Sequence, residues 1–195
     1  MMTRNPATFF LRHLLALMLL PAIGHAADWN LEQLMQSLAQ TRVSQARFVE
    51  KKTIALLDKP VESSGELFYS APDRLEKRTL KPKPEFMVLD QGTLVIERGR
   101  QKHRLQLQDY PELAVFIESI RGTLAGDRKA LERNYRLALE GTAAHWTLQL
   151  WPLDEKMLAV VKRIRITGVR DAMRSFEIFQ TDGDSSLMLI EKLNP

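Results

Sequence analysis

Apolar residues recur along this chain with two different periods. Leu31, Leu34, Met35 and Leu38 fall at i, i+3, i+4 and i+7, a single stripe of a short helix that Asp28 can cap. From Val43 onward the period shortens to two. Residues 44–54 read as a long polar-rich strand with Phe48 pointing inward, residues 66–70 place Leu67 and Tyr69 on one face, and residues 74–80 follow after a turn at Ala71-Pro72-Asp73. The run Lys81-Pro82-Lys83-Pro84 is a loop, since two prolines lack the donors of a central strand. Residues 85–89, 93–97 and 102–107 are separated by the turns Asp90-Gln91-Gly92 and Arg98-Gly99-Arg100, the spacing of an antiparallel meander.

The middle of the chain returns to helical spacing. Leu113, Phe116, Ile117, Ile120 and Leu124 share one stripe between residues 110 and 125, and Gly122 and Gly126 would let that helix hinge like a lid. Asp127 can cap a second short helix ending at Arg133. Strands then resume. Tyr135, Leu137 and Leu139 share a face, as do Trp146, Leu148 and Leu150; Ile164 and Ile166 alternate with arginines, and Phe176 and Ile178 with Glu177. Asp182-Gly183 is the strongest hairpin signal, leading into residues 185–193.

About ten strands interrupted by two helical inserts predict an α+β fold: a curved antiparallel sheet forming an incomplete β-barrel, with helices over its hydrophobic concave face. No repeat, low-complexity tract or linker divides residues 27–195, which read as a single domain.

The first 26 residues read differently. Arg4, Arg12 and His13 precede an apolar run at residues 14–23, and Gly24-His25-Ala26 supplies the small residues of a signal-peptidase site, so cleavage is expected after Ala26 and export to the periplasm. The apolar run is too short for the ~20 residues a membrane span needs. Removing Arg4 and Arg12, and no acid, lowers the formal charge from +4 to +2, which leaves little of a nucleic-acid footprint. The chain has no cysteine, which excludes disulfides, thiolate metal sites and thiol nucleophiles. Outside the signal only His103 and His145 remain, at no spacing that makes a zinc site or a catalytic triad. Asp182–Ser186 lacks the ligand alternation of a calcium loop. No cofactor, metal or catalytic residue is expected.

Several segments, in their order, resemble the periplasmic outer-membrane lipoprotein carrier (LolA-type) family, in its short divergent branch. They are Ala46-Arg47-Phe48, the stretch from Gly65 to Leu75 (GELFYSAPDRL), Val88 to Leu94 (VLDQGTL), Leu113 to Asp127 (LAVFIESIRGTLAGD), Trp146-Thr147-Leu148 and Ile164 to Gly168. The resemblance implies an incomplete barrel closed by helices over a hydrophobic cavity. It also implies a non-enzymatic carrier that takes an acylated lipoprotein, or another lipid such as a polyene, from an inner-membrane ABC exporter toward an outer-membrane receptor. Such a carrier is implied to be a monomer with only transient membrane contacts and no nucleic-acid partner. Classical carriers have an arginine just before the turn proline that latches the lid; here that position is Ala71, and Arg74 is the candidate substitute. The chain also ends at Pro195, without the C-terminal extension of classical members.

A carrier is needed because one ~16-carbon chain is held in a bilayer by roughly 12 kcal/mol, at ~0.8 kcal/mol per buried CH₂. The inward positions expected to line the cavity are Phe48, Leu67, Tyr69, Leu75, Phe86, Val88, Leu94, Ile96 and Leu105 in the first half. In the second half they are Leu137, Leu139, Trp146, Leu148, Ile164, Ile166, Phe176 and Ile178, with Leu113, Phe116, Ile117 and Ile120 on the lid. Two other classes remain open: a lipid sensor of the same fold reporting to a membrane partner, and a lipid-modifying enzyme working through His103 or His145.

Overall fold

The structure, a computed structural model, describes residues 29–193. The proposed signal segment and Asp28 lie outside them. Helix α1 (Leu31–Leu38) starts at Asn30, whose side chain accepts from the Gln33 amide while the Gln33 side chain accepts from the Asn30 amide, a reciprocal capping box. Its stripe of Leu34, Met35 and Leu38 is buried.

Six strands follow: β1 (Val43–Thr53), β2 (Val61–Ser70), β3 (Arg74–Lys81), β4 (Glu85–Asp90), β5 (Thr93–Arg98) and β6 (Gln101–Gln106). A 3-10 turn (Leu107–Asp109) leads into α2 (Pro111–Ala125) and α3 (Arg128–Asn134). Strands β7 (Tyr135–Thr142) and β8 (His145–Pro152), the short helix α4 (Glu155–Leu158), then β9 (Val161–Val169), β10 (Ala172–Gln180) and β11 (Ser185–Lys192) complete the chain. Helix α4 has no counterpart in the sequence reading; Asp154 caps it. Strand β2 also begins earlier than the expected residue 66, at Val61, with Ser63-Ser64-Gly65 inside the strand.

The eleven strands form one antiparallel sheet in the order β6-β5-β4-β3-β2-β1-β11-β10-β9-β8-β7. Every neighbour is also a neighbour in sequence except β1 with β11, which joins the two meanders at the centre. A twisted sheet this wide must curl, and this one does not close: β6 and β7 are its two edges. The 107–134 segment connects those edges, so it has to cross the concave face. The helices cover the sheet because the topology gives this connection no shorter route.

The two halves of the concave face are filled unequally. Over β7–β10, helices α1 and α3 press Leu34, Met35, Leu38 and Leu131 against Tyr135, Trp146, Leu148, Leu150, Ile164 and Ile166, all nearly solvent-free. Trp146 lies against Gly168, where an added Cβ would stand 2.0 Å from the indole, and its Nε1 donates to the Arg170 carbonyl at 2.9 Å. A second, smaller cluster of Leu89, Leu94 and Ile117 sits under the start of α2. Phe116 packs against both clusters and meets Phe176 edge to face at 6.1 Å.

The outer face is charged and aromatic. Arg78 lies over the rings of Phe68 and Phe86, Arg163 over Phe179, and Arg136 over Trp151. These guanidinium–ring contacts keep aromatic surface on the solvent side without leaving it bare.

Candidate functional site

Between the two clusters lies a cavity of about 580 Å³, inside the ~300–1,000 Å³ range of small-molecule sites. Its walls come from β1–β5, β10 and β11, and its roof from α2.

Strand pairing sorts the inner face of β1–β5 into successive rows, since directly paired residues share a face. The row beneath α2 is Ser44, Tyr69, Leu75, Leu89 and Leu94. The next is Ala46, Leu67, Lys77, Met87 and Ile96, and the third is Phe48, Gly65, Thr79 and Glu85, with Arg98 across from Glu85. Beyond these come Glu50 paired with Ser63, then Lys52 paired with Ser186. The wall therefore grades from apolar under the helix to charged at the far end. Met188, Ile190, Phe176 and Ile178 continue the apolar wall onto β10 and β11.

The far end centres on Glu50, only 5% exposed. One carboxylate oxygen accepts from Lys77 Nζ at 2.6 Å and the other from Ser186 Oγ at 2.7 Å; Lys52 Nζ stands 3.5 Å away. Burial works to raise the Glu50 pKa, but the Lys77 ammonium, its hydrogen bond, that of Ser186 and the charge of Lys52 together leave it lowered. To reach Glu50, Lys77 leans across the third row, with Nζ 4.9 Å from the centre of the Phe48 ring.

The roof is held in its first half and packed at its end. The Tyr135 hydroxyl, on β7, donates to the Val115 carbonyl of α2 at 3.0 Å, and burial pushes this phenol up to about 12. Gly122 and Gly126, read from the sequence as hinge points, sit at close helix contacts. A Cβ at Gly122 would meet Leu131 of α3 at 2.9 Å, and one at Gly126, which ends α2 with φ +64, would meet the Met35 carbonyl oxygen of α1 at 2.1 Å. Both glycines are there for close approach between helices.

The expected cavity residues divide into three groups. Leu67, Tyr69, Leu75, Leu94, Phe176 and Ile178, with Leu113, Phe116, Ile117 and Ile120 of α2, all border the hollow. Among the described residues the Tyr69 hydroxyl is buried there without a hydrogen-bond partner, and burial raises its pKa. Leu137, Leu139, Trp146, Leu148, Ile164 and Ile166 are inward but belong to the packed half, where α1 and α3 leave no hollow. Phe48 is inward and roofed by Lys77, while Ile96 and Leu105 pack around the smaller cluster.

Phe86 and Val88 are corrected: they pair with Glu97 and Val95 on the outer face, and Met87 and Leu89 point in. Residues 86–89 are all apolar, so alternation carried no sign there. Arg74 is corrected as well. Its guanidinium bonds Glu76 of its own strand at 2.6 Å and Asp90 of the neighbouring β4 at 2.6 Å, and a hydrogen bond to α2 comes instead from Tyr135.

Sequence reasoning missed Glu50, Lys77 and Ser186. Carrying the inward parity of Phe48 two residues further would have found Glu50. The histidines are exposed, His103 on β6 and His145 at the start of β8. Among the described residues no cluster of metal-ligating side chains occurs, and no helix is long and apolar enough to cross a membrane.

Two solved structures are similar at low identity. A LolA superfamily protein from Nitrosomonas europaea is 10% identical, with 83% of this chain and 92% of that chain covered and a TM-score of 0.46. MucA/MucB of Pseudomonas aeruginosa matches at 17% identity over 84% of this chain and 55% of that one, with a TM-score of 0.48. No curated protein matches significantly. The sequence itself is more specific: residues 23–192 match the family of outer membrane lipoprotein carrier proteins, LolA-like. With the whole described sheet and its helical cover inside that match, this chain belongs to the LolA-like family.

Proposed function

We propose that this protein is a periplasmic carrier that shields an acyl chain, of a lipoprotein or another lipid, during transfer from the inner to the outer membrane. The observation that carries this reading is the apolar hollow between β1–β5, β10, β11 and α2. At about 30 Å³ for each water-sized group, its 580 Å³ holds on the order of twenty such groups, enough for one long acyl chain. Burying that chain offsets most of the roughly 12 kcal/mol that holds it in a bilayer, so a carrier of this kind makes the aqueous crossing feasible.

Membership in the LolA-like family supports the same reading. The donor would be an inner-membrane ABC exporter and the acceptor an outer-membrane receptor, each met transiently by a carrier monomer. Export through cleavage after Ala26 would place it in the right compartment. Met87 and Met188 give the wall unbranched, adaptable side chains, which suits a cargo that must be both held and released.

The test is transfer of a pyrene-labelled lipid between donor and acceptor vesicles, with lipid mass spectrometry of protein recovered from periplasm. The expected results are transfer accelerated at protein concentrations well below that of the lipid, and a co-purifying acylated molecule. No acceleration and no bound lipid would refute the carrier reading.

A further inference from the structure

The charged end of the cavity is not explained by packing. A buried ion pair recovers its desolvation cost only partly, and apolar residues of similar size in its place are often neutral or stabilising. Yet the inner face of this sheet carries Glu50 and Lys77 in contact, with Lys52, Glu85 and Arg98 bordering the same hollow. These five groups sum to one positive charge, which Asp184, lining the same hollow with its carboxylate on the Ala55 amide, brings to zero, so what distinguishes this end is unused donors and not net charge.

Their hydrogen-bonding capacity is lopsided. Both Glu50 oxygens are occupied, by Lys77 on one side and Ser186 on the other. Glu85 accepts from Arg98. An ammonium has three donors and a guanidinium five, so the cations retain donors after these contacts are made. Lys52 and Arg98 are more than half exposed, with side-chain exposures of 54% and 66%, and can turn toward a guest with little rearrangement.

We propose that this end of the cavity binds an acceptor-rich anionic head, a phosphate or a carboxylate, of an amphiphile whose tail lies in the apolar rows beneath α2. The proposal rests on the carrier reading and deepens it, because it selects anionic amphiphiles among possible cargoes. Lys77 and Lys52 converge on one carboxylate and so present their remaining N–H groups from adjacent positions. Glu50 acts as a positioning residue: it holds both ammoniums at the wall and does not itself contact the head.

The experiment is equilibrium binding, below micelle-forming concentrations, of probes that share one sixteen-carbon tail: palmitate, palmitoyl lysophosphatidate, monopalmitin and hexadecyltrimethylammonium. The intact protein should bind palmitate or the lysophosphatidate about tenfold more tightly than monopalmitin, the gain of one charge-assisted contact, and the cationic probe most weakly. The stronger of the two anions identifies carboxylate or phosphate as the head. The double variant Lys52→Ser/Arg98→Ser changes two exposed side chains. It should lose most of the anionic preference, read as the ratio of anionic to monopalmitin affinity in the same variant, with a cooperative urea transition showing that it folds.

Equal affinity for neutral and anionic probes would overturn the head site and leave the carrier reading standing. An anionic preference that survives in the double variant would overturn its location. Failure of all four probes to bind would overturn both readings.

Discussion

Replacing Phe116 with glutamate tests whether the hollow under α2 is the binding surface. The Phe116 ring is half-buried, borders the cavity and meets Phe176 edge to face at 6.1 Å. A fully buried Phe truncated to Ala costs ~3–5 kcal/mol; with open space on one side Phe116 should cost about 2 kcal/mol, including ~1 kcal/mol for the ring pair. That is small beside the ~5–15 kcal/mol of a stable domain, so the variant folds. An acyl tail entering the cavity must then cover a carboxylate, a penalty of at least ~2 kcal/mol and about thirtyfold in Kd. The control is Trp146→Ala. Trp146 is 2% exposed, packed on Gly168 and bonded to the Arg170 carbonyl, so its truncation should cost about 4–5 kcal/mol and act through stability. Urea denaturation gives the first quantity and displacement of a fluorescent fatty acid the second. A folded Phe116→Glu protein with unchanged probe affinity would refute the placement of cargo beneath α2.

Three further outcomes follow from the described contacts. Tyr135→Phe removes the hydroxyl that donates to Val115 and should cost ~1 kcal/mol, read as roughly fivefold faster amide exchange in the first half of α2; unchanged exchange there would show that the tyrosine does not restrain the helix. Glu50 has a lowered pKa in the folded protein, so the unfolded chain takes up its proton first as pH falls below 4.5. The stability it contributes is present above that value and is lost on further acidification through the folded pKa; Glu50→Gln should flatten this part of the pH–stability curve, and an unaltered slope would contradict the assignment. Gly65→Ala would set a Cβ 1.8 Å from the Arg78 carbonyl oxygen and should cost ~3 kcal/mol or more, whereas Gly92→Ala, at φ +75 with open space around it, should cost only ~1 kcal/mol; equal thermal shifts for the two would invert this reasoning.

Much of the architecture could be read from periodicity because most strands bury one face only. Trp146, Leu148 and Leu150 alternate against exposed or polar neighbours, and their inward direction was unambiguous. Where both faces are apolar, as along Phe86–Leu89, the pattern has no phase, and only pairing with β5 supplies it. The fold class was legible for the same reason, but the division between packed and hollow halves was not. Leu137 and Leu75 look alike in sequence. What separates them is that α1 and α3 lie over the first, while only α2 roofs the rows containing the second. The charged end escaped notice because Lys77 belongs to a strand rich in charge, where an inward lysine resembles its solvent-facing neighbours. The roles of Gly122 and Gly126 are likewise matters of three-dimensional proximity, to α3 and α1, that no local spacing records.

The 107–134 segment is tied to β6 at one end and to β7 at the other, the two free margins of the sheet. It is therefore a bowstring and not a flap. If the hollow takes a guest, as the carrier reading has it, uncovering it while both knots hold would shift the margins relative to each other, and loading would flex the bow. On that reading, any pull on β6 or β7 would reach the roof through the chain itself, without touching the guest.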